Sequence, residues 1–293
     1  MGEALLVRKG GGGVKVTVDG VEISKDLSLE SKRVDLFMPS LPISFSTAGK
    51  AVKFNGKLHL LANTAHYAWD GTTWASVSTL PYSISSDTNV VVYDGKIHLL
   101  GGGRNSSNYT AHYAWDGTTW TSVETLPWTC RGGAPAAYDS KLHLLGGSVS
   151  SKAHYAWDGT TWTSVETLPF YHGNGAGIVH DGRIHLMGGN SSTQHYAWDG
   201  TTWASAETLP FRVQDNNGVI EIDGEIHLLG GPSTEKVVNY RLADTGWILD
   251  STHTIPSNAT VYSDYDNAIN VLGNSTDAQK HYIINEKMYK EVS

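Results

Sequence analysis

The stretch HYAWDGTTW, residues 66–74, returns unchanged at residues 112–120, 154–162 and 195–203. A period of about forty residues, made of short alternating runs and turn dipeptides, is the mark of stacked supersecondary units. Laid in register, the copies give a four-part unit: an apolar run, a turn dipeptide, a run ending on a glycine pair, and two aromatic-rich runs joined by a tight turn. Each run has the length and period-two patterning of a β-strand.

The dipeptides are Asn55-Gly56, Asp94-Gly95, Asp139-Ser140, Asp181-Gly182, Asp223-Gly224 and Asp266-Asn267, mostly residues that accept the positive φ of a two-residue hairpin. They join the first predicted strand to the second, which reads KLHLL, KIHLL, KLHLL, RIHLM, EIHLL and finally AINVL. The glycine pairs are Gly101-Gly102, Gly146-Gly147, Gly188-Gly189 and Gly230-Gly231. A tyrosine on the third strand is followed by a tryptophan on the fourth at constant spacing: Tyr67 and Trp74, Tyr113 and Trp120, Tyr155 and Trp162, Tyr196 and Trp203, Tyr240 and Trp247. Tyr282 and Tyr289 keep that spacing without the tryptophan. Four-stranded sheets of this kind bury both faces only when stacked radially. The pattern therefore predicts an all-β, six-bladed β-propeller over residues 46–293.

The order of apolar run, double glycine and spaced Tyr and Trp resembles the kelch repeat, over about residues 50–293. The Trp-Asp pairs, such as Trp69-Asp70, follow the glycine pair and precede a turn, which fits kelch better than the other common propeller repeat. The first unit has Ala62-Asn63 for the glycine pair and the sixth has Gly273-Asn274, departures expected of terminal repeats. The resemblance implies a range of functions. Some kelch-like propellers are enzymes, including copper radical oxidases and bacterial sialic acid epimerases; many eukaryotic ones are adaptors with an added helical domain. The near-identical copies and short non-repeat head resemble virion and tail-associated kelch proteins of bacteriophages.

Residues 1–45 lie outside the period and form a separate anchoring or ring-closing segment, with a β-hairpin expected around Asp19-Gly20. Leu41-Pro42 matches Leu80-Pro81, Leu126-Pro127, Leu168-Pro169 and Leu209-Pro210, each closing a fourth strand, so Val34 to Met38 is a candidate to lie beside the last blade. That would remove an open sheet edge. The last unit also holds a weak fourth strand of its own near Tyr289 to Val292, and the two closures stay open at this stage.

Composition narrows the function. With 293 residues and 40% hydrophobic content the chain can bury a substantial core. A formal net charge of −8 without a Lys/Arg cluster argues against a nucleic-acid surface or an anionic membrane. The single cysteine, Cys130, excludes an intramolecular disulfide, and the start MGEALLVRKGGGG lacks the apolar run of a signal peptide. Synthesis in a bacterial host cytoplasm without membrane insertion is the expectation, with a place in the virion as the localisation.

The two ends of such a propeller differ. The first-to-second and third-to-fourth turns, chiefly DG and WDGTT, are nearly invariant. The loops at the other end vary in length and chemistry, the pattern of a rigid frame that displays function on loops. Arg104, Tyr109, Trp128, Arg131, Tyr171, His172, Arg212 and Gln214 are the candidate partner-binding residues there, because arginine and aromatic side chains anchor interfaces and suit acidic or sugar ligands. The aromatic directly after each Leu-Pro pair, Tyr82, Trp128, Phe170 or Phe211, recurs so regularly that packing is its main expected role.

Ten histidines occupy repeated positions: His59, His98, His143, His185 and His227 on the second strand, and His66, His112, His154, His195 and His281 on the third. No carboxylate or thiolate shares their period, so cross-strand pairs rather than metal sites are expected, and no cofactor is expected. If buried neutral, they make stability acid-sensitive. The copper class needs a cross-linked cysteine beside Tyr and His ligands, and Cys130 has no such set. An epimerase would require acid/base groups, for which Arg131, Arg212 and His172 are candidates. The leading expectation is a non-catalytic module of a bacteriophage particle, part of a larger assembly or homo-oligomer. It would be held to other virion proteins through residues 1–45 and present its variable loops to a host-surface glycan or neighbouring virion proteins. The alternative is a carbohydrate-modifying enzyme of the sialic acid epimerase type.

Overall fold

Both residues of Asn55-Gly56, Asp94-Gly95, Asp139-Ser140 and Asp181-Gly182 take positive φ, between 46° and 71°. This is the two-residue hairpin whose twist matches its strands. The computed structural model describes residues 6–10, 13–18, 21–23, 36–37, 40–43, 49–147, 151–190, 192–213, 218–222, 224–230, 237–253, 261–265, 268–272 and 281–284. The chain divides into two compact units, Met1–Val34 with Glu286–Ser293, and Asp35–Asn285. The first holds an antiparallel sheet of β1 (Leu6–Gly10), β2 (Gly13–Val18) and β3 (Val21–Ile23). There Val18 pairs with Val21 across Asp19-Gly20, as the sequence suggests.

The second unit begins with β4 (Leu36–Phe37) and continues as five blades, each made of four consecutive antiparallel strands. The first blade is β5 (Gly49–Phe54), β6 (Lys57–Ala62), β7 (Ala65–Trp69) and β8 (Trp74–Thr79); the second is β9 (Asn89–Tyr93), β10 (Lys96–Leu100), β11 (His112–Trp115) and β12 (Trp120–Ser122). The third is β13 (Gly133–Tyr138), β14 (Lys141–Gly146), β15 (His154–Trp157) and β16 (Trp162–Ser164); the fourth is β17 (Ala176–His180), β18 (Arg183–Met187), β19 (His195–Trp198) and β20 (Trp203–Ser205). The fifth is β21 (Gly218–Ile222), β22 (Glu225–Gly230), β23 (Val237–Ala243) and β24 (Gly246–His253).

The expectation of a six-bladed propeller is corrected to five blades. The sixth repeat does not supply a blade from its own strands. Its β25 (Val261–Tyr265), β26 (Ala268–Leu272) and β27 (His281–Ile284) are joined by β4 from upstream of the first repeat, with Tyr282 opposite Phe37 and Ile283 opposite Leu36. The edge of β27 is thus occupied by a strand from elsewhere in the chain. The alternative fourth strand near Tyr289 to Val292 lies outside the described residues. Strands β5, β9, β13, β17 and β21 are neighbours in that order, and β25 of the composite sheet lies between β21 and β5, which closes the circle.

Because every blade is covered on both faces, the second strand is buried along its length after the first residue instead of alternating. Ile97, His98, Leu99 and Leu100 of β10 are all buried. Five apolar clusters fill successive seams. Leu41, Leu58, Leu60, Trp69 and Leu272 lie between the composite sheet and the first blade. Leu61, Ile84, Leu99 and Trp115 bridge the first and second blades, and Leu100, Cys130, Leu144 and Trp157 the second and third. Leu145, Phe170, Leu186 and Trp198 bridge the third and fourth, and Met187, Phe211, Val213 and Leu228 the fourth and fifth. In three successive seams the leading tryptophan of the HYAWDGTTW segment reaches back onto the preceding blade.

Candidate binding face

The WDGTT turns use up their own polar groups. Asp116 Oδ1 accepts from the Thr118 amide at 2.8 Å, the Thr118 hydroxyl at 2.7 Å and the Thr119 amide at 2.9 Å. Asp70, Asp158 and Asp199 repeat the arrangement. The backbone bond from the second threonine, then the hydroxyl bond from the first, holds Asp116, Asp158 and Asp199 down to about 2, with Asp70 lowered in the same way. These carboxylates are committed to the turn, which repeats unchanged in the first four blades because its geometry needs those side chains.

The opposite end is built by main-chain hydrogen bonds that leave side-chain identity open. Ile84, Cys130, His172 and Val213 occupy equivalent places, the third residue after each Leu-Pro proline, and are almost completely enclosed. Their amides donate to the carbonyls of Asn63, Tyr109, Ser151 and Ser192 at 2.8, 2.8, 3.0 and 3.2 Å. The carbonyls of Cys130, His172 and Val213 accept from Gly102, Gly147 and Gly189 at 2.7, 3.0 and 2.9 Å. A Cβ on the first glycine of these pairs would overlap the next inter-blade loop at Cys130, His172 or Val213, and one on the second would overlap the preceding loop at Thr88, Cys130 or His172.

The aromatic after each Leu-Pro belongs to this latch. Tyr82 donates its hydroxyl to Gly101 O at 2.7 Å, and Trp128 donates its indole N–H to Gly146 O at 3.3 Å. Trp128 also stacks on Tyr155, and Phe170 on Tyr196, with centroids 4.7 and 5.3 Å apart. His172 likewise plugs the loop: it is 0% exposed, and the Gly188 backbone is the polar group that bears on its ring. Burial lowers its pKa to about 4, so it is neutral at physiological pH.

The exposed candidates fall into small groups. Arg131 donates to Asp87 Oδ2 from Nε at 2.8 Å and from Nη2 at 2.5 Å, and its guanidinium lies over the Tyr109 ring, 5.1 Å from the centroid. The loop beneath is fixed by Gly132 N–H donating to Asp87 O and Asn174 N–H donating to Gly132 O, both at 2.7 Å. Tyr171, 60% exposed, sits instead under Lys152, whose Nζ is 5.3 Å from the ring centroid. Arg104 reaches Asn63 Oδ1 at 3.4 Å, Arg212 is exposed, and Gln214 lies outside the described residues. Sequence reasoning missed Asp87 and Lys152. Asp87 had a signal, since it occupies the loop place equivalent to Gly132 and Asn174.

The repeated histidines form cross-strand pairs: His59 with His66, His98 with His112, His143 with His154, and His185 with His195. His227 faces Asn239 Oδ1 at 3.1 Å. Among the described residues no three His, Cys, Asp or Glu side chains are grouped as a metal site would require.

No family model and no curated protein matches the chain. The solved structure titled "Structure of YjhT", a kelch-type propeller, is similar to it with a TM-score of 0.69 and 13% sequence identity, over 85% of this chain and 97% of that one. The fold is a β-propeller.

Proposed function

We propose that the protein is a non-catalytic recognition module that binds its partner through the variable-loop end, with Arg131 and Tyr109 at the centre of the contact. The observation that carries this reading is the contrast between the ends. One end carries four matching WDGTT turns whose carboxylates are already satisfied; the other presents a guanidinium, positioned by Asp87, over an aromatic ring on loops fixed by main-chain bonds. Asp87 holds the guanidinium through Nε and Nη2, so a glycan carboxylate would meet it through Nη1 or by displacing Asp87, with a sugar face on the ring. The enclosed, neutral His172 favours binding over proton transfer, because a general acid or base must reach its substrate.

In this reading the partner is a host-surface glycan or a neighbouring protein of a bacteriophage particle, a placement that rests on the resemblance of the repeats. The test is binding of the full chain to an array of carboxylate-bearing and neutral oligosaccharides, and to purified virion proteins. Arg131→Ala and Tyr109→Ala serve as loop-end variants and Thr160→Ala as a turn-end control. Binding lost in the loop variants and kept in the control supports the proposal. Binding that survives both loop changes, or turnover of a sialic acid seen by NMR, overturns it.

A further inference from the structure

Four seams contain the same buried object, which the binding end does not use. In each pair Nδ1 of the second-strand histidine faces Nε2 of the third-strand one, at 2.9, 2.9, 2.9 and 2.8 Å around the circle. In the last three pairs Nδ1 of the third-strand ring meets a carbonyl, Glu124 O at 3.1 Å, Glu166 O at 3.1 Å and Glu207 O at 3.0 Å. A carbonyl only accepts, so Nδ1 of His112, His154 and His195 carries the proton and Nε2 offers a lone pair. His98, His143 and His185 must then donate from Nδ1. The bonding pattern fixes both rings as neutral, and an added proton has only Nε2 of the second-strand histidine to occupy. For His98 that nitrogen is buried without a close hydrogen bond, and the Tyr93 backbone is the nearby group that favours a proton on the ring. In the first pair Ser78 Oγ, 3.1 Å from His66 Nδ1, takes the carbonyl's place.

Burial dominates these surroundings and opposes a charge, although the backbones of Phe54, Tyr93, Tyr138 and His180 act in the opposite sense on the second-strand rings. The next blade lays an indole over each pair: Trp115 is 4.5 Å from His66, Trp157 is 4.9 Å from His112, Trp198 is 4.9 Å from His154, and Trp247 is 6.1 Å from His195. From the same blade Phe54, Tyr93, Tyr138 and His180 lie against the second-strand ring. The charged groups bearing on the pairs are mostly cationic: Lys57, Lys96, Lys141 and Arg183, with His180 beside His185. Asp94 acts in the opposite sense on His98. Glu221 faces His180 at 3.5 Å, and the Glu124 carboxylate accepts from the Trp162 amide. Among the described residues no carboxylate is hydrogen-bonded to a pair.

We propose that the four imidazole pairs form an acid-released lock, which keeps neighbouring blades seated at neutral pH and lets them separate together below about pH 6. Burial, with neighbouring positive charge, lowers His59, His98, His143 and His185 to about 4 and His66, His112 and His154 to about 3. An exposed imidazole titrates near 6.5, so the opened chain binds more protons than the closed one between those values. The stabilisation is therefore complete above about pH 6.5 and is lost as pH falls toward the folded values. Each ring changes the closed-to-open ratio by up to about tenfold per pH unit. Because the seams belong to one circle, the losses combine into a single steep transition.

The fifth blade supplies the test variant, since Asn239 Oδ1 faces His227 where the other blades use a second imidazole. Full-length wild type, His112→Asn, His154→Asn and the double variant are taken from pH 7.5 to 4.5, followed by near-UV circular dichroism. Labelling of Cys130 by 4,4′-dithiodipyridine, which reacts in acid, reports seam opening because Cys130 is enclosed between the second and third blades. The expected result is loss of the near-UV signal together with onset of labelling, a midpoint that moves to lower pH in the variants, and a transition shallower by about one proton per replaced ring. A wild type still protected at pH 4.5, or a double variant with unchanged midpoint and steepness, overturns the proposal. If the variants do not fold, potentiometric proton uptake of the wild type decides. About eight protons, two for each of the four pairs, are expected on opening, and an uptake of about two or fewer refutes the lock.

Discussion

Gly95 and Gly102 have nearly the same positive φ, +64° and +65°, in different surroundings. A Cβ on Gly95 would meet nothing within 4 Å, whereas one on Gly102 would overlap Thr88 Cα and lie 2.5 Å from Thr88 N. Alanine at either site carries the left-handed strain of about 1–2 kcal/mol, offset by about 0.5 kcal/mol from the stiffer unfolded chain. Gly95→Ala should therefore cost about 1 kcal/mol. Gly102→Ala must in addition push main chain apart, and the bond most exposed to that shift is Gly102 N–H to Cys130 O at 2.7 Å. Losing it and leaving a buried group unsatisfied adds about 2–3 kcal/mol, for a total of about 3–4 kcal/mol. Urea denaturation of the two variants side by side measures the difference directly, because the strain cancels. Equal destabilisation within about 0.5 kcal/mol would refute the claim that the glycine pair exists for close approach rather than for conformation alone.

Three further outcomes follow from the same geometry. Ser140 holds φ +57° where equivalent turns have glycine, so Ser140→Gly should stabilise by about 0.5–1 kcal/mol, read as a higher denaturation midpoint. Tyr82→Phe removes the hydroxyl that bonds Gly101 O and should cost about 1–2 kcal/mol with little change in near-UV circular dichroism. Leu144 is completely buried in the seam of Leu100, Leu126 and Trp157, so Leu144→Ala should cost about 2–5 kcal/mol in urea; a loss below about 1 kcal/mol would mean that the seam is not closely packed.

What could be read from the sequence was whatever local geometry dictates. Asn55-Gly56 and Asp94-Gly95 had to be turns, and the strands around them followed. The histidine pairs were foreseeable as neighbours but not in detail, because the pairing is diagonal: His98 lies opposite Ala114, and His112 opposite Leu100. The closing strand was harder. Leu36–Phe37 is two residues long and outside the period, so only the matching Leu-Pro placed it. Contacts between distant loops, such as Arg131 with Asp87, 44 residues apart, leave no periodic trace. His172 could have been set aside as a ligand from the sequence: Ile84, Cys130 and Val213 stand at the same step after Leu-Pro, and three small or apolar residues in equivalent positions mark the place as enclosed.

The same comparison explains how one frame tolerates such different loops. At the Ile84, Cys130, His172 and Val213 positions the amide bond to the preceding loop is made by main chain, so nothing about the latch specifies a side chain beyond filling the space. Isoleucine, cysteine, histidine and valine all do so. Substitution nearby then changes what the end of the propeller presents without loosening how it is held. Arg131 and Tyr171 are adjacent to two of these anchors, Cys130 and His172, whose main-chain bonds help set their backbones. The identical turns at the other end have no such latitude, since Asp116 and its equivalents close the turn with their own side chains. Divergence is confined to the end where the main chain does the latching, and that is where a partner of changing chemistry can be accommodated at little cost to the fold.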